Sequence, residues 1–327
     1  MVKFLLRRLA YSLVLIMLAT CLGYLLAAVS LNPRSNFEGR NPAPPAAVVD
    51  QQLYDLNLNN KTPIYDRFST WIKGLAHGDF GKTVYGGSVG AEMGRRIGVT
   101  ARLVAIGGLQ GRAIGVLVGV AGAVRQYKAS DYIATFTSFV LLATPVFLLA
   151  VLLKAAATKI NQMVGTDLFY NTGEYSPGLH GDFLTMANDR VKHLILPTLS
   201  ILLGQAAYFS RYQRSTMLDV LGSDFLRTAQ AKGLRWRRAL YTHGLRTALI
   251  PMATFFAFGF GLLFTGAVFT ETIFTWHGMG QWLISSIRTN DVNAVAAVTL
   301  FTAVLVLIAG FISDIAYAAL DPRVRIR

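Results

Sequence analysis

Residues 9–31 read LAYSLVLIMLATCLGYLLAAVSL, an apolar run with no charged side chain. A helix needs about 20 apolar residues to cross a hydrocarbon core of about 30 Å. Windows of similar quality recur along the chain at 97–124, 132–156, 194–213, 247–275 and 292–317. The sequence therefore predicts an all-α integral membrane protein with six transmembrane helices.

The composition agrees with this fold class. Of the 327 residues, 53% are hydrophobic and 15% are charged, and the mean hydropathy of +0.45 exceeds that of ordinary soluble domains. The first apolar run is too long for the central part of a cleaved signal peptide, so we expect a retained helix. Cys21 is the only cysteine, which excludes a disulfide within the chain.

The positive charges predict the orientation, because basic residues near membrane ends stay in the cytosol. With a cytosolic N-terminus, the cytosolic segments hold 16 of the 31 basic residues and four acidic ones, whereas the external segments hold 12 basic and 11 acidic ones. We therefore expect both termini in the cytosol. Topology accounts for the net charge of +14, and nucleic-acid binding is not needed to explain it.

The predicted spans divide the chain into three parts. Residues 1–31 form the N-terminus and first transmembrane helix, and residues 32–96 form an external loop with short surface helices. Residues 97–327 form a core with five transmembrane helices and a cytosolic loop at 214–246. The external loop is too small for a catalytic domain.

No catalytic or metal-binding motif stands out in the sequence. Residues 76–83, AHGDFGKT, end like a phosphate-binding loop, but Ala76 stands where that loop needs glycine, and the segment is predicted to be external. The five histidines have no ligand spacing. We therefore expect a non-catalytic chain with no metal and no cofactor of its own.

The predicted cytosolic loop contains DFLRTAQAKGLRWRRALYTHGLRTALIP, from Asp224 to Pro251. Apolar and aromatic residues recur there at threes and fours, which predicts one helical face made of Phe225, Ala229, Trp236, Leu240 and His243. Gly233 permits a sharp turn between two short helices, and Pro251 is expected to start the fifth span. Taken alone, this element also fits a basic helix resting on anionic lipid.

The same stretch resembles the cytosolic EAA loop in permease subunits of bacterial ABC importers, in the version of the oligopeptide and dipeptide permeases. Arg227 stands where the general pattern has glutamate, as is usual in the peptide branch. Other segments are similar to family motifs in the same order, although His277 replaces a usual proline; they are FLLRRL (4–9), GDFGKT (78–83), TETIFTWHGMGQWL (270–283) and LDPRVR (320–325).

The resemblance implies a type I ABC importer permease fold, in which the loop forms a coupling helix against an ATP-binding subunit. Carried onto this chain, the coupling residues are Asp224, Arg227, Thr228, Ala229, Lys232, Gly233, Leu234 and His243. The implied partners are a second permease subunit, two ATP-binding subunits that bind ATP and Mg, an external substrate-binding protein, and a peptide. The same machine with nickel chelate or glutathione as cargo, and a stand-alone secondary transporter or channel, remain as alternatives.

Within the spans, Gly107, Gly111, Gly115 and Gly119 lie on one helical face and predict close helix packing. Arg112 falls near the middle of the second span, where an isolated charge costs at least about 2.5 kcal/mol. It either forms an ion pair within the bundle or binds a peptide carboxylate. With Phe256 and Phe260 of the fifth span, it makes up a candidate translocation path, although contact with lipid explains these phenylalanines equally well.

Overall fold

The computed structural model describes the backbone of residues 2–38, 41–42 and 44–320. It also describes the side chains of these residues, except those at 2–6, 8, 253–254, 256–258, 260–262, 265–266 and 316–320. Its helices are α1 (Val2–Ser30), α2 (Ala46–Asp55), α3 (Ile64–Ala76), α4 (Val89–Val124), α5 (Ala129–Ala143), α6 (Val146–Val164), α7 (Phe183–Leu221), α8 (Asp224–Ala231), α9 (Trp236–Ala239), α10 (Leu245–Ile273), α11 (Met279–Arg288) and α12 (Val292–Leu320). These described ranges contain no β-strand. The predicted all-α fold class is confirmed.

Five described helices are long and apolar enough to cross a membrane. They are Leu9–Ser30, Val89–Val124, Val146–Val164, Phe183–Leu221 and Val292–Ile315. Two of them contain the second and fourth predicted spans, two match the first and sixth to within two residues, and Val146–Val164 contains residues 146–156 of the third. Helix α10 covers the fifth predicted span except for its last two residues. The number of six crossings and the side of the termini stay predictions.

Two details of the predicted spans were wrong. The third span is two helices, because Thr144 and Pro145 are extended between α5 and α6; proline lacks an N–H and disfavours a helical residue before it. Pro251 does not start the fifth helix but lies inside α10, which begins at Leu245. Membrane helices tolerate such a proline when neighbouring groups satisfy the freed carbonyl.

The chain forms two compact units, Met1–Thr100 with His277–Leu307, and Ala101–Trp276 with Ile308–Arg327. In the first unit, the fully buried ring of Tyr24 on α1 stacks on Trp71 of α3, with ring centroids 4.5 Å apart. Helices α2 and α3 lie in the segment between the first two spans, where short helices are predicted. The predicted boundary at 96/97 falls inside α4, and the division into three parts stays a prediction.

Asp291 fixes the loop before α4 to the start of α12 within this first unit. Its Oδ2 accepts a hydrogen bond from the Val84 N–H (2.8 Å), and its Oδ1 accepts one from the Ala294 N–H (3.0 Å). The side chain is buried, and burial raises the pKa of its carboxyl group. One carboxylate thus caps α12 and holds a second segment against it.

In the second unit, the glycine face of α4 packs directly on α7. A methyl group on Gly111 would lie 2.7 Å from the Leu202 carbonyl oxygen, and one on Gly115 would lie 2.7 Å from that of Ala206. Because the obstructing atoms are backbone, they cannot rotate away as a flexible side chain would. The predicted packing role of these glycines is confirmed.

Candidate functional site

The loop between α7 and α10 turns at Gly233, as the sequence predicts. Gly233 has φ +92°, its N–H donates to the Gln230 carbonyl (2.9 Å), and the Leu234 N–H donates to the Ala229 carbonyl (3.2 Å). These two bonds and the positive φ define a Schellman motif, which ends α8. Helix α9 follows and continues through a π-helical turn at Leu240–Gly244 into α10. The predicted pair of short helices flanking Gly233 is confirmed.

The inner side of α8 is fastened to the bundle by Leu226, which is 1% exposed. A methyl group on Gly244 would lie 3.3 Å from both Leu226 Cδ1 and Val220 Cγ1, so these residues are close neighbours. Beside them, a buried cluster joins α4, α7, the π-helical turn and α10; it comprises Val120, Ala123, Met217, Val220, Leu240 and Ala248. The loop is therefore attached to the ends of three long helices.

The predicted apolar face is wrong in one position. Leu240 is buried (1% exposed), whereas Phe225 and Trp236 are 43% and 41% exposed. The prediction assumed one continuous helical phase. The turn at Gly233 and the wider π-helical turn both change that phase, so Leu240 belongs to the inner side with Leu226.

The eight predicted coupling residues lie on the exposed side of this loop. Asp224, Arg227, Thr228, Lys232, Gly233 and His243 are exposed, and Ala229 and Leu234 are half-buried. An ion pair of 3.8 Å joins Asp224 and Arg227, and the Thr228 hydroxyl donates to the Asp224 carbonyl (2.9 Å). The structure thus brings these residues together on one short segment.

Aromatic and basic side chains surround these residues. Besides Phe225 and Trp236, Tyr241 is 61% exposed, and Arg235, Arg237 and Arg238 are exposed on α9 and just before it. We name the surface formed by the exposed residues of 224–243 the loop surface. Exposed aromatic and arginine side chains are the residue types enriched in protein interfaces.

Two residues of this element were not predicted from the sequence. Leu226 is the buried anchor of α8, and Tyr241 contributes the most exposed of the three aromatic rings. Leu226 was detectable, because it is the only large aliphatic residue among the polar and small residues of DFLRTAQA. Tyr241 gave no comparable signal, since its exposure depends on the π-helical turn.

The residues of the predicted translocation path lie on α4 and α10. Arg112 is 5% exposed, and its Cζ lies 5.4 Å from the centre of the Phe209 ring. A methyl group on Gly259 of α10 would lie 3.1 Å from Arg112 Nη2. Phe256 and Phe260 belong to α10, but their side chains lie outside the described part of the structure.

Comparison with known proteins identifies the family. Residues 114–326 match the binding-protein-dependent transport system inner membrane component family. The chain belongs to this family. It is therefore a permease component of a transport system in the bacterial inner membrane, and the family resemblance drawn from the sequence motifs is confirmed.

Curated relatives extend the match over the whole permease. It is 52% identical over 326 residues, covering 100% of both chains, to the oligopeptide transport system permease protein OppB of Mycobacterium tuberculosis. It is 34% identical to AppB of Bacillus subtilis, covering 86% of this chain and 87% of the relative. It is 30% identical to the dipeptide transport system permease protein DppB of Escherichia coli K12, with 84% of each covered.

Proposed function

We propose that the permease is a pore-forming subunit of an ATP-driven importer, and that its cargo is oligopeptides or dipeptides. The observation that carries the cargo assignment is the 52% identity to OppB over the full length of both chains. The relatives AppB and DppB, with oligopeptide and dipeptide in their names, agree with it.

The loop surface docks on an ATP-binding subunit. The chemistry of its exposed aromatic rings suits a protein groove, and the surrounding arginines would steer an acidic partner toward it. Leu226 and the cluster that includes Val220, Leu240 and Ala248 connect it to the ends of α4, α7 and α10. A displacement of the docked loop would therefore move those helices as well.

Transport then follows an alternating-access cycle. ATP binding draws two ATP-binding subunits together, each permease subunit moves with its docked loop, and the spans pass between inward-open and outward-open states. ATP shifts this equilibrium only through its different affinity for the two states. ATP and Mg are bound by the partner subunits, and the permease itself catalyses no reaction.

The remaining partners follow from the same assignment. A second permease subunit completes the pore, and an external substrate-binding protein delivers the peptide. Arg112, Phe256 and Phe260 lie on the α4 and α10 segments that we assign to the path. The buried guanidinium of Arg112 beside Gly259 supplies positive charge there.

Substitution of Gly233 tests the coupling role. A residue with a Cβ is strained at φ +92°, at a cost of about 1–2 kcal/mol, although a Cβ at this position meets no atom of the described residues within 4 Å. Gly233→Asp should therefore leave the permease folded in the membrane but abolish ATP-dependent peptide uptake and weaken co-purification of the ATP-binding subunits.

Gly222→Asp is the matched control, because Gly222 is an exposed glycine just before α8 with an ordinary φ of −82°. It should retain uptake. Full uptake with Gly233→Asp, or equal loss in both variants, would contradict the coupling role. The cargo is tested separately by deleting the permease and measuring uptake of a labelled tripeptide, glutathione and chelated nickel; only tripeptide uptake should fall.

A further inference from the structure

A cavity of about 230 Å³ lies between α4, α5 and α7 within the second unit. Its polar lining residues come from α5 and α7; they are Asp131, Thr135, Ser210, Arg211, Arg214 and Ser215. Helix α10, to which two residues of the proposed peptide path belong, contributes none of the described lining residues. The cavity is therefore separate from that path.

The lining of this cavity is positively charged. It carries two guanidinium groups and one carboxylate, which leaves a net charge of +1. Both oxygens of the Asp131 carboxylate are already occupied, because Arg214 donates to them through Nε and Nη2 and the Tyr127 N–H donates to Oδ2. A guanidinium has five N–H groups, so Nη1 of Arg214 is left to donate to another acceptor.

Arg211 supplies the charge that no carboxylate in the cavity balances. Its side chain is exposed, and its Cζ lies 4.1 Å from the centre of the Phe139 ring, which also lines the cavity. The negative face of an aromatic ring attracts a guanidinium and holds it in place. Asp131, the single acidic residue among the described lining residues, pairs with Arg214 instead.

The cavity lies at the level of the lipid headgroups. Its residues surround positions 132 and 213, where the third and fourth predicted spans have their cytosolic ends. On α5, Phe136 lies one turn from Phe139 and is 71% exposed, and Val140 is 48% exposed. A basic pocket between membrane helices on the cytosolic side is a typical site for an anionic lipid headgroup.

We infer that this cavity binds the phosphate of an anionic phospholipid from the cytosolic leaflet. Arg211 and Nη1 of Arg214 donate charge-assisted hydrogen bonds to the phosphate oxygens, and the exposed Ser215 hydroxyl adds a further donor. The single negative charge of a phosphodiester balances the charge of the lining. The acyl chains lie against Phe136 and Val140. This lipid site goes beyond the proposed function and does not depend on the cargo.

Titration of the purified permease in dodecyl maltoside with dioctanoyl phosphatidylglycerol tests the site. The melting temperature should rise and saturate, and dioctanoyl phosphatidylcholine should leave it unchanged. Arg211→Gln should melt near the wild type without lipid but weaken the apparent affinity for phosphatidylglycerol about tenfold, as expected for a lost charge-assisted hydrogen bond. Arg211→Lys should recover part of that affinity, because lysine keeps the charge but not the planar fork.

Arg125→Gln is the matched control, because Arg125 is exposed at the same end of the helices and does not line the cavity. It should bind the lipid like the wild type. Ser215→Glu adds a negative charge to the cavity wall and should abolish the response. Gln126→Glu adds the same charge at an exposed position outside the cavity and should retain it.

Three results would overturn the lipid site. A wild type that does not respond, or that responds equally to both lipids, has no site for an anionic lipid. Equal loss in Arg211→Gln and Arg125→Gln would show general attraction to a basic surface. A response of the wild type to inorganic phosphate, at the concentration at which phosphatidylglycerol acts, would assign the cavity to a free anion.

Discussion

Arg214 Nε and Nη2 donate hydrogen bonds of 2.6 and 2.7 Å to the two carboxylate oxygens of Asp131. This pair joins α7 to the start of α5. The Asp131 side chain is 3% exposed, and its Oδ2 also accepts from the Tyr127 N–H at 3.1 Å. Each carboxylate oxygen therefore has at least one donor. The pair fixes the turn between α4 and α5 against α7.

Removal of the Arg214 guanidinium should destabilise the permease. Arg214→Ala leaves a buried carboxylate without its charged partner, which costs about 3 kcal/mol. Arg214→Lys should lie between the wild type and Arg214→Ala, because an ammonium cannot make the two parallel hydrogen bonds. Thermal unfolding of the purified protein in detergent measures both.

Arg211→Ala is the control, since Arg211 is exposed and its Cζ lies 4.1 Å from the centre of the Phe139 ring. Equal losses of stability at the two positions would contradict the prediction.

A single methyl group should separate α4 from α7. Gly115→Ala places a Cβ 2.7 Å from the Ala206 carbonyl oxygen, so we expect a loss of about 1–3 kcal/mol from overpacking. Gly94→Ala in the same helix places a Cβ that meets no atom within 4 Å in the described part of the chain, and it should stabilise slightly, because alanine has the higher helix propensity. Melting temperatures of the two variants, compared with that of the wild type, measure these changes in stability. A stable Gly115→Ala variant would show that these helices can move apart at little cost.

Cysteine labelling tests the predicted orientation. Cys21 is first replaced by alanine, and single cysteines are then placed at His180 and Thr242, both of which are exposed. Ser176 in the same loop is avoided, because its hydroxyl donates a hydrogen bond to Asp189 at 2.7 Å. An impermeant maleimide added to intact cells or spheroplasts should label position 180 and not position 242. The reverse pattern would show that the positive-inside assignment is wrong.

Asp291 should make stability depend on pH. Burial raises the pKa of its carboxyl above the ordinary value of 3.8, so the folded state binds this proton more tightly than the unfolded state. Its contribution to stability is full below the unfolded pKa and declines as the pH rises through the folded pKa. Relative to Asp291→Asn, which cannot ionise, the wild type should lose stability as the pH rises above about 4.

Melting temperatures measured over a pH series test this, with Asp66→Asn at an exposed position of α3 as the control. A difference between the wild type and Asp291→Asn that is constant across pH would contradict the prediction.

The apolar runs sufficed to predict where most of the long helices lie. The apolar run that contains Leu13 and Leu22 can cross a bilayer only as a helix, because a single segment forms all of its own backbone hydrogen bonds only in that conformation. The glycine spacing likewise predicted the face of α4 that meets α7. Gly233 predicted the turn of the loop, since its positive φ is a local backbone property.

The break at Pro145 and the helical Pro251 show where local signals failed. The sequence predicts a helix boundary at Pro251 and none at Pro145, although both prolines lack the N–H. Whether a helix continues through a proline depends on which neighbouring groups satisfy the freed carbonyl. That information lies in other helices and not in the nearby residues.

The fold class, the family and the segment that carries the loop surface follow from the amino-acid sequence alone, because they depend on composition, local backbone preference and ordered motifs. The packing of the helices was needed to show which side of that loop is buried, which side chain lies beside Gly259, and that α5, α6, α7 and α10 line a cavity beside Gly204. Burial and cavities arise where distant segments pack together, and no periodicity within one helix records which atoms its neighbours bring.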